Sequence, residues 1–292
     1  MQTLAEIREM LEVRGLSPRH RFGQNFLIDH NLIRRLVDAS GVREGDAVME
    51  IGPGTGTMTE ELLARGCRVV ACELDAGLAA LVRERFAAQA SEGRFTLVEG
   101  DCMDGKRALN PALVEAIDHA ARANSAGGGS FTLVSNLPYG AATPALSTLM
   151  INHPGCRGMY VTVQKELGDR LRAGPGSEDY GVVSLVAWAC AEVRVLATLP
   201  AECFWPRPDV TSVMLEVERR ATIRSGDPRG LAGVAQALLA QRRKQVGRAL
   251  RGLGVEPEKV GVEASARAED LAPEVFERIR GEVARGPTPD IR

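Results

Sequence analysis

Apolar positions along this chain follow two alternating rhythms. Residues 4–13 put Leu4, Ile7, Met10 and Leu11 on one helical face, whereas Val48-Met-Glu-Ile51 and Phe131-Thr-Leu-Val-Ser135 are short runs of strand length. Strands are predicted at 47–51, 68–72, 95–98, 131–135 and 158–163, separated by helix-length stretches at 57–65, 75–90, 110–122 and 142–151. Asp29 is placed to cap a helix through Ala39, and Gly41 to end it. Strand–helix alternation of this kind gives parallel strands joined by crossover helices. The expected fold class is α/β, with a central, mostly parallel sheet.

After residue 181 the rhythm changes to two β-rich runs, 182–198 and 210–217, around a proline-rich turn at 204–208. Beyond Asp227 the pattern is helical throughout, with turns at Gly252–Gly254 and near Pro273. We therefore expect a large domain over 1–222, a small all-helical domain over 223–285, and a polar, disordered tail over 286–292. Residues 124–130 (Asn-Ser-Ala-Gly-Gly-Gly-Ser) have the composition of a flexible inserted loop.

Composition adds limits. A chain of 292 residues, 45% hydrophobic, can bury a core of this size. Its six cysteines form no C-x-x-C pair and no metal-type spacing, which points to buried free thiols in a reducing compartment. No apolar stretch reaches membrane-spanning length and no signal-peptide core opens the chain. Glu6, Glu9 and Glu12 argue against a transit peptide, so a cytoplasmic protein is expected.

The chemistry begins at the end of the first predicted strand of the sheet. Gly52-Pro-Gly54-Thr-Gly56 follows a strand and precedes a helix, where glycine lets backbone approach a ligand closely. The spacing is G-x-G-x-G, neither the G-x-G-x-x-G of dinucleotide folds nor a P-loop. Glu73 ends the next strand, 21 positions after Gly52, about where an acid binds ribose hydroxyls in nucleotide-binding α/β folds. Asp101 ends the third, where a carboxylate can take the exocyclic amine of a purine. Two acids on successive strand ends fit S-adenosylmethionine better than a nicotinamide dinucleotide.

Asn136-Leu137-Pro138-Tyr139, at the exit of the fourth strand, supplies what a nitrogen nucleophile needs. An aromatic amine has its lone pair spread into the ring and attacks a sulfonium methyl poorly. Accepting its hydrogens on the Asn136 oxygen and a backbone carbonyl localises and aims that pair. Pro138 fixes φ and removes a donor, and Tyr139 offers a stacking face for a base taken out of its helix. Positioning does most of the work in such a displacement, so no general base, metal or covalent nucleophile is required.

These blocks, in this order, resemble the ribosomal RNA small-subunit adenine dimethyltransferase family (the dimethyladenosine transferases). Further matching blocks are Phe22-Gly-Gln-Asn-Phe-Leu27, Glu50-Ile-Gly-Pro-Gly54, Glu73-Leu-Asp75, Gln164-Lys-Glu166 and Gly174-Pro-Gly-Ser177 with Tyr180-Gly181. Phe204-Trp-Pro-Arg-Pro-Asp-Val-Thr-Ser212 and Gln241-Arg-Arg-Lys244 complete a resemblance over roughly residues 19 to 251. It implies a Rossmann-like class I methyltransferase with a small helical C-terminal domain. It also implies donor contacts at Asn25, Leu27, Gly52, Gly54, Glu73, Asp101 and Asn136, and stacking of the target adenine by Tyr139 and, from the other side, Phe204. The implied reaction is N6,N6-dimethylation of two adjacent adenosines near the 3′ end of small-subunit rRNA, within a pre-ribosomal 30S-type particle. A monomer using S-adenosylmethionine and no metal is expected.

An RNA footprint has its own trace. From Arg207 to Arg251 there are ten Lys/Arg against four Asp/Glu, in a chain whose net charge is -2. Lys244, Arg248 and Arg251 would share one face of a helix that starts with Arg242 and Arg243, suited to phosphate contact. Three features depart from the family pattern: a long 106–130 segment, the absence of an overall basic charge, and Arg21 in a lead-in that is commonly Lys- or His-rich. The alternative within reach is the related large-subunit rRNA adenine N6-methyltransferase of the macrolide-resistance type. A non-enzymatic ribosome-assembly or transcription role would predict loss of pocket residues that are all intact here.

Overall fold

Short strands whose residues are buried on both faces, alternating with amphipathic helices, leave the chain one economical solution: a sheet covered on both sides. The computed structural model describes residues 1–19, 23–123 and 128–285. Phe22 of the first block, Arg21 in the lead-in before it, residues 124–127 of the expected loop and the tail 286–292 lie outside the described residues. Helix α1 (Leu4–Val13) is closed by a Thr3/Glu6 capping box, and strand β1 (Phe26–Leu27) precedes helix α2 (His30–Ser40). Asp29 caps α2 by accepting from Asn31 N at 2.9 Å and Leu32 N at 3.1 Å, and Gly41 ends it at φ 62°. The alternation then runs β2 (Ala47–Ile51), α3 (Thr57–Ala64), β3 (Arg68–Glu73), α4 (Ala76–Arg85), α5 (Ala87–Ser91) and β4 (Phe95–Glu99). A small hairpin of β5 (Met103–Asp104) and β6 (Ala108–Leu109) leads into α6 (Pro111–Ala123), β7 (Phe131–Asn136), α7 (Tyr139–Asn152) and β8 (Cys156–Gln164).

Helix α8 (Lys165–Arg172) is followed by α9 (Val182–Cys190), β9 (Ala191–Leu199), β10 (Phe204–Trp205) and β11 (Ser212–Arg219). The main sheet has the order β4-β3-β2-β7-β8-β11-β9. Strands β4, β3, β2, β7 and β8 run parallel, and β11 is antiparallel to β8. From β2 the chain winds outward through β3 to β4, then returns to lay β7 on the other side of β2. The winding therefore reverses between β2 and β7, and a crevice opens outside their carboxyl ends, the general location for ligands in open α/β sheets. The glycine turn leaves β2 and the Asn136 tetrapeptide leaves β7, so both motifs flank that crevice.

The chain divides into two compact units, Met1–Gly168 with Val193–Arg219, and Asp169–Glu192 with the residues from Arg220 onward. In the second unit, α10 (Pro228–Leu239) starts with Pro228 and takes its cap from Asp227, which accepts from Gly230 N at 2.9 Å. Helices α11 (Val246–Gly252) and α12 (Pro273–Arg285) follow. Tyr180 and Phe276 meet edge-on in its interior, and the Tyr180 hydroxyl donates to the Leu271 carbonyl at 3.1 Å.

Four expectations need correction. Residues 182–190, read as β-rich, form α9, and the segment 169–192, placed by its pattern with the first domain, belongs to the second unit. Val182–Cys190 is apolar everywhere but Ser184, so no period separates a buried strand from a buried helix. Ser184 decides it locally, because its hydroxyl accepts from Gly181 N at 3.0 Å and closes the first turn. The helix expected over 75–90 breaks at Phe86 into α4 and α5. Residues 241–244 form a turn rather than a helix start, closed by Lys244 N donating to the Gln241 carbonyl at 2.8 Å. Among the described residues no helix is long and apolar enough to cross a membrane.

Candidate methyl-donor and amine site

The glycine turn works through shape. Gly52 and Gly54 have φ of 72° and 60°, a region that penalises any Cβ. Each is also approached closely: a Cβ on Gly52 would stand 2.7 Å from Pro138 Cγ, and one on Gly54 2.8 Å from the Phe26 ring. The first contact ties the turn directly to the tetrapeptide. Glu73, buried at the end of β3, braces the turn from below. Its carboxylate accepts from Gly54 N at 3.1 Å and from Asp75 N at 2.9 Å, and burial pushes its pKa up against those hydrogen bonds. Asp75 in turn caps α4 and pairs with Arg19 at 3.2 Å, which anchors the approach to Asn25. Asp101 stands on the exposed rim, accepting from Met103 N at 2.9 Å, and Leu74, 49% exposed, offers an apolar face between the two acids.

The tetrapeptide is fixed at each residue. Asn136 donates from Nδ2 to the Asn25 carbonyl at 2.8 Å and accepts at Oδ1 from the Thr162 hydroxyl. Leu137 buries its side chain, and its backbone N–H donates to the Thr162 carbonyl at 3.2 Å. Pro138 is the N-cap of α7, its carbonyl accepting from Ala141 N at 3.0 Å. Tyr139 is half-buried with its hydroxyl 3.2 Å from Ser212 Oγ, and burial raises its pKa, so it is a neutral phenol.

A cavity of about 570 Å³ joins these parts. Asn25, Leu27, Gly52, Gly54, Glu73, Asp101, Asn136, Pro138 and Tyr139 all line it, and all were expected from sequence. Phe204 does not. It is 3% exposed in a β10 strand paired with β1, packed in the hydrophobic core opposite Leu27. Trp205, the next residue, stacks on Phe26 at 6.1 Å under the Arg8 guanidinium. In this arrangement the Phe204 ring is packed in the core behind Leu27 and presents no face to the cavity.

Glu50, to which the sequence pattern assigns no role, also lines the cavity. It is 2% exposed inside β2, accepts from the Thr59 hydroxyl at 2.6 Å, and burial pushes its carboxyl up to about 8, with nearby Glu73 adding to the rise. Its acidic character inside an otherwise apolar strand was the available signal, since a buried acid needs a reason. Cys72 and Cys102 line the same wall, and burial pushes both thiols up to about 12, so they are protonated and poorly nucleophilic.

In the second unit the basic cluster divides. Arg242 is committed internally, to Glu269 at 2.8 Å and to the carbonyls of Ser177 and Glu178 at 2.9 and 2.7 Å. Arg243, Lys244, Arg248 and Arg251 are exposed, and none is within ion-pairing distance of an acid among the described residues. Only Arg248 and Arg251 lie on α11, because the helix starts at Val246, after the turn.

The sequence profile described as ribosomal RNA adenine dimethylase matches residues 15–284. A ribosomal RNA small subunit methyltransferase A from Leifsonia xyli subsp. xyli is 37% identical over 282 residues, covering 95% of this chain and 92% of that protein. The protein of the same name from Magnetococcus marinus is 35% identical, covering 96% of both chains. Among solved structures, a dimethyladenosine transferase from Plasmodium falciparum superposes with a TM-score of 0.67 at 18% identity, over 88% of this chain and 96% of that one. The 23S rRNA methyltransferase ErmE superposes with a TM-score of 0.59 at 20% identity, over 89% of this chain and all of that one. At these identities the two structures speak to the fold alone.

Proposed function

Because the chain belongs to the ribosomal RNA adenine dimethylase family, we propose that it transfers methyl groups from S-adenosylmethionine to N6 of two adjacent adenosines near the 3′ end of small-subunit rRNA. The observation that carries this reading is the contact of the glycine turn with the tetrapeptide, Gly52 against Pro138, across one cavity at the reversal of the sheet. The residues fit such a donor. Two glycines leave a cradle that a Cβ would fill, Glu73 would take the ribose hydroxyls, and Asp101 and Leu74 the purine amine and face. Bound there, the donor supplies a sulfonium methyl for one in-line displacement, in which S–CH₃ breaks as N–CH₃ forms and the amine's proton leaves to solvent.

The chain's own contribution is alignment. Asn136 Oδ1 and a backbone carbonyl of the tetrapeptide would accept the two amine hydrogens and turn the nitrogen lone pair toward the cavity, while Tyr139 would cover one face of the flipped base. A neutral target amine and a cationic donor need no general base before transfer. Arg243, Lys244, Arg248 and Arg251 would hold phosphates of the substrate. The small-subunit target, a pre-ribosomal 30S-type particle, is favoured over a large-subunit one by the names of relatives 35–37% identical over nearly the whole chain. We further assign the enzyme to the cytoplasm, where that substrate is made, and to action as a monomer.

Mass mapping of methylated nucleosides tests the reading. Unmethylated small-subunit particles and large-subunit RNA are incubated with enzyme and labelled donor. The expected result is N6,N6-dimethyladenosine at two neighbouring positions of the small-subunit RNA alone. Label confined to large-subunit RNA, or to an atom other than N6, would contradict it.

A further inference from the structure

Two buried hydroxyls stand behind the tetrapeptide on neighbouring strands. Thr162 of β8 is 1% exposed and donates to Asn136 Oδ1. Ser212 of β11, also 1% exposed, lies 3.2 Å from the Tyr139 hydroxyl. The pairing sets Met214 opposite Thr162 and Ser212 opposite Gln164, so the two hydroxyls sit two residues apart along the sheet.

A threonine in a buried strand is ordinarily accounted for by β-propensity, with its hydroxyl finding some backbone acceptor. Thr162 instead engages the one side-chain atom that the proposed reaction needs free and aimed. Rotation about the last bond of an asparagine side chain is soft and roughly two-fold. Here Nδ2 is tied to the Asn25 carbonyl and Oδ1 to Thr162, so the amide can neither flip nor swing. An amide oxygen has two lone pairs, and one remains for a ligand.

We propose that Thr162 is a positioning residue for methyl transfer, fixing the Asn136 amide so that its remaining lone pair meets the target amine, and that Ser212 fixes the Tyr139 ring in the same way. The inference rests on the function proposed above and deepens it. It also separates the two transfers. In the proposed site an unmethylated amine brings two hydrogens to two acceptors, Asn136 Oδ1 and a backbone carbonyl of the tetrapeptide. After one methyl only one hydrogen remains, so the second transfer has a single hydrogen bond to aim the nitrogen. That step depends more on a fixed amide than the first.

The test uses the full chain with Thr162→Val, Thr162→Ser and Ser212→Ala, unmethylated small-subunit particles, and S-adenosylhomocysteine as the binding probe. In Thr162→Val the probe should bind within about twofold of wild type and the first transfer slow about tenfold. The second should slow further, so that monomethyladenosine accumulates. Thr162→Ser should restore the dimethylated product, and Ser212→Ala should raise KM for the particle more than it lowers kcat. A variant that merely folds less well would slow both transfers by one factor and leave the product ratio unchanged; that result overturns the proposal, as does a Thr162→Ser that behaves like Thr162→Val. Absence of methylation by the wild-type chain would instead defeat the functional reading, which keeps the two failures apart.

Discussion

Asn136→Ala is expected to slow methyl transfer about a thousandfold while S-adenosylhomocysteine still binds within about tenfold of wild type. The side chain has two jobs that the structure separates. Its Nδ2 end holds the Asn25 carbonyl on the cavity wall, and its Oδ1 end is the acceptor we propose for the target amine. Losing the first removes one neutral hydrogen bond, worth about 1 kcal/mol. Losing the second lets the amine nitrogen keep its lone pair in the ring and lose its line of attack, which is where alignment supplies most of the rate. Calorimetry and single-turnover transfer read the two effects apart. A variant that loses donor binding in proportion to turnover would show Asn136 to be a wall residue only.

The second large effect concerns stability. Glu50→Gln is expected to stabilise the free protein by several kcal/mol at pH 8 and to have little effect near pH 4.5. Burial pushes the Glu50 carboxyl from its ordinary 4.5 to about 8 in the folded chain. Between those values the unfolded chain has released a proton that the folded chain keeps, so stability falls as pH rises through the window and levels off above it. Each unit is about 1.4 kcal/mol, which makes the full cost about 5 kcal/mol at most. Glutamine keeps an oxygen to accept from Thr59 and has no charge to desolvate. A cationic donor in the same cavity should favour the ionised carboxylate, so wild-type donor affinity should climb toward pH 8 while that of the variant stays flat. Denaturant unfolding of both proteins across this range is the check; identical pH slopes would show that Glu50 is not the titrating group.

The parts of the molecule that were legible in sequence share a cause. Gly52 and Gly54 are dictated by backbone conformation and close approach, Asp29 and Gly41 by helix ends, and Asn136 by its place at a strand exit. Each is a local requirement, and local requirements are written locally. The parts that were not legible depend on contacts far apart in the chain. Thr162 reads as one more β-branched residue until β7 and β8 align it with Asn136, and Glu50 as one polar position in an apolar strand until the cavity opens beside it. Phe204 shows the converse: its sequence block suggested a stacking face, but pairing of β10 with β1 turns it into the core. The basic cluster misled in another way, because exposed charges at helical spacing do not make a helix. Val246 N instead bonds the Ala266 carbonyl at 2.8 Å, and α11 starts after Lys244.

The claim on which the rest stands is that a single crevice holds both donor and target nitrogen, with Asn136 between them. A crystal structure of the full chain with S-adenosylhomocysteine tests it most directly. The ribose is expected on Glu73, the purine beside Asp101 and Leu74, and the sulfur turned toward Asn136 with the Thr162 hydroxyl still on Oδ1. A nucleoside bound away from the Gly52 turn, or an Asn136 amide rotated out of the cavity, would contradict it.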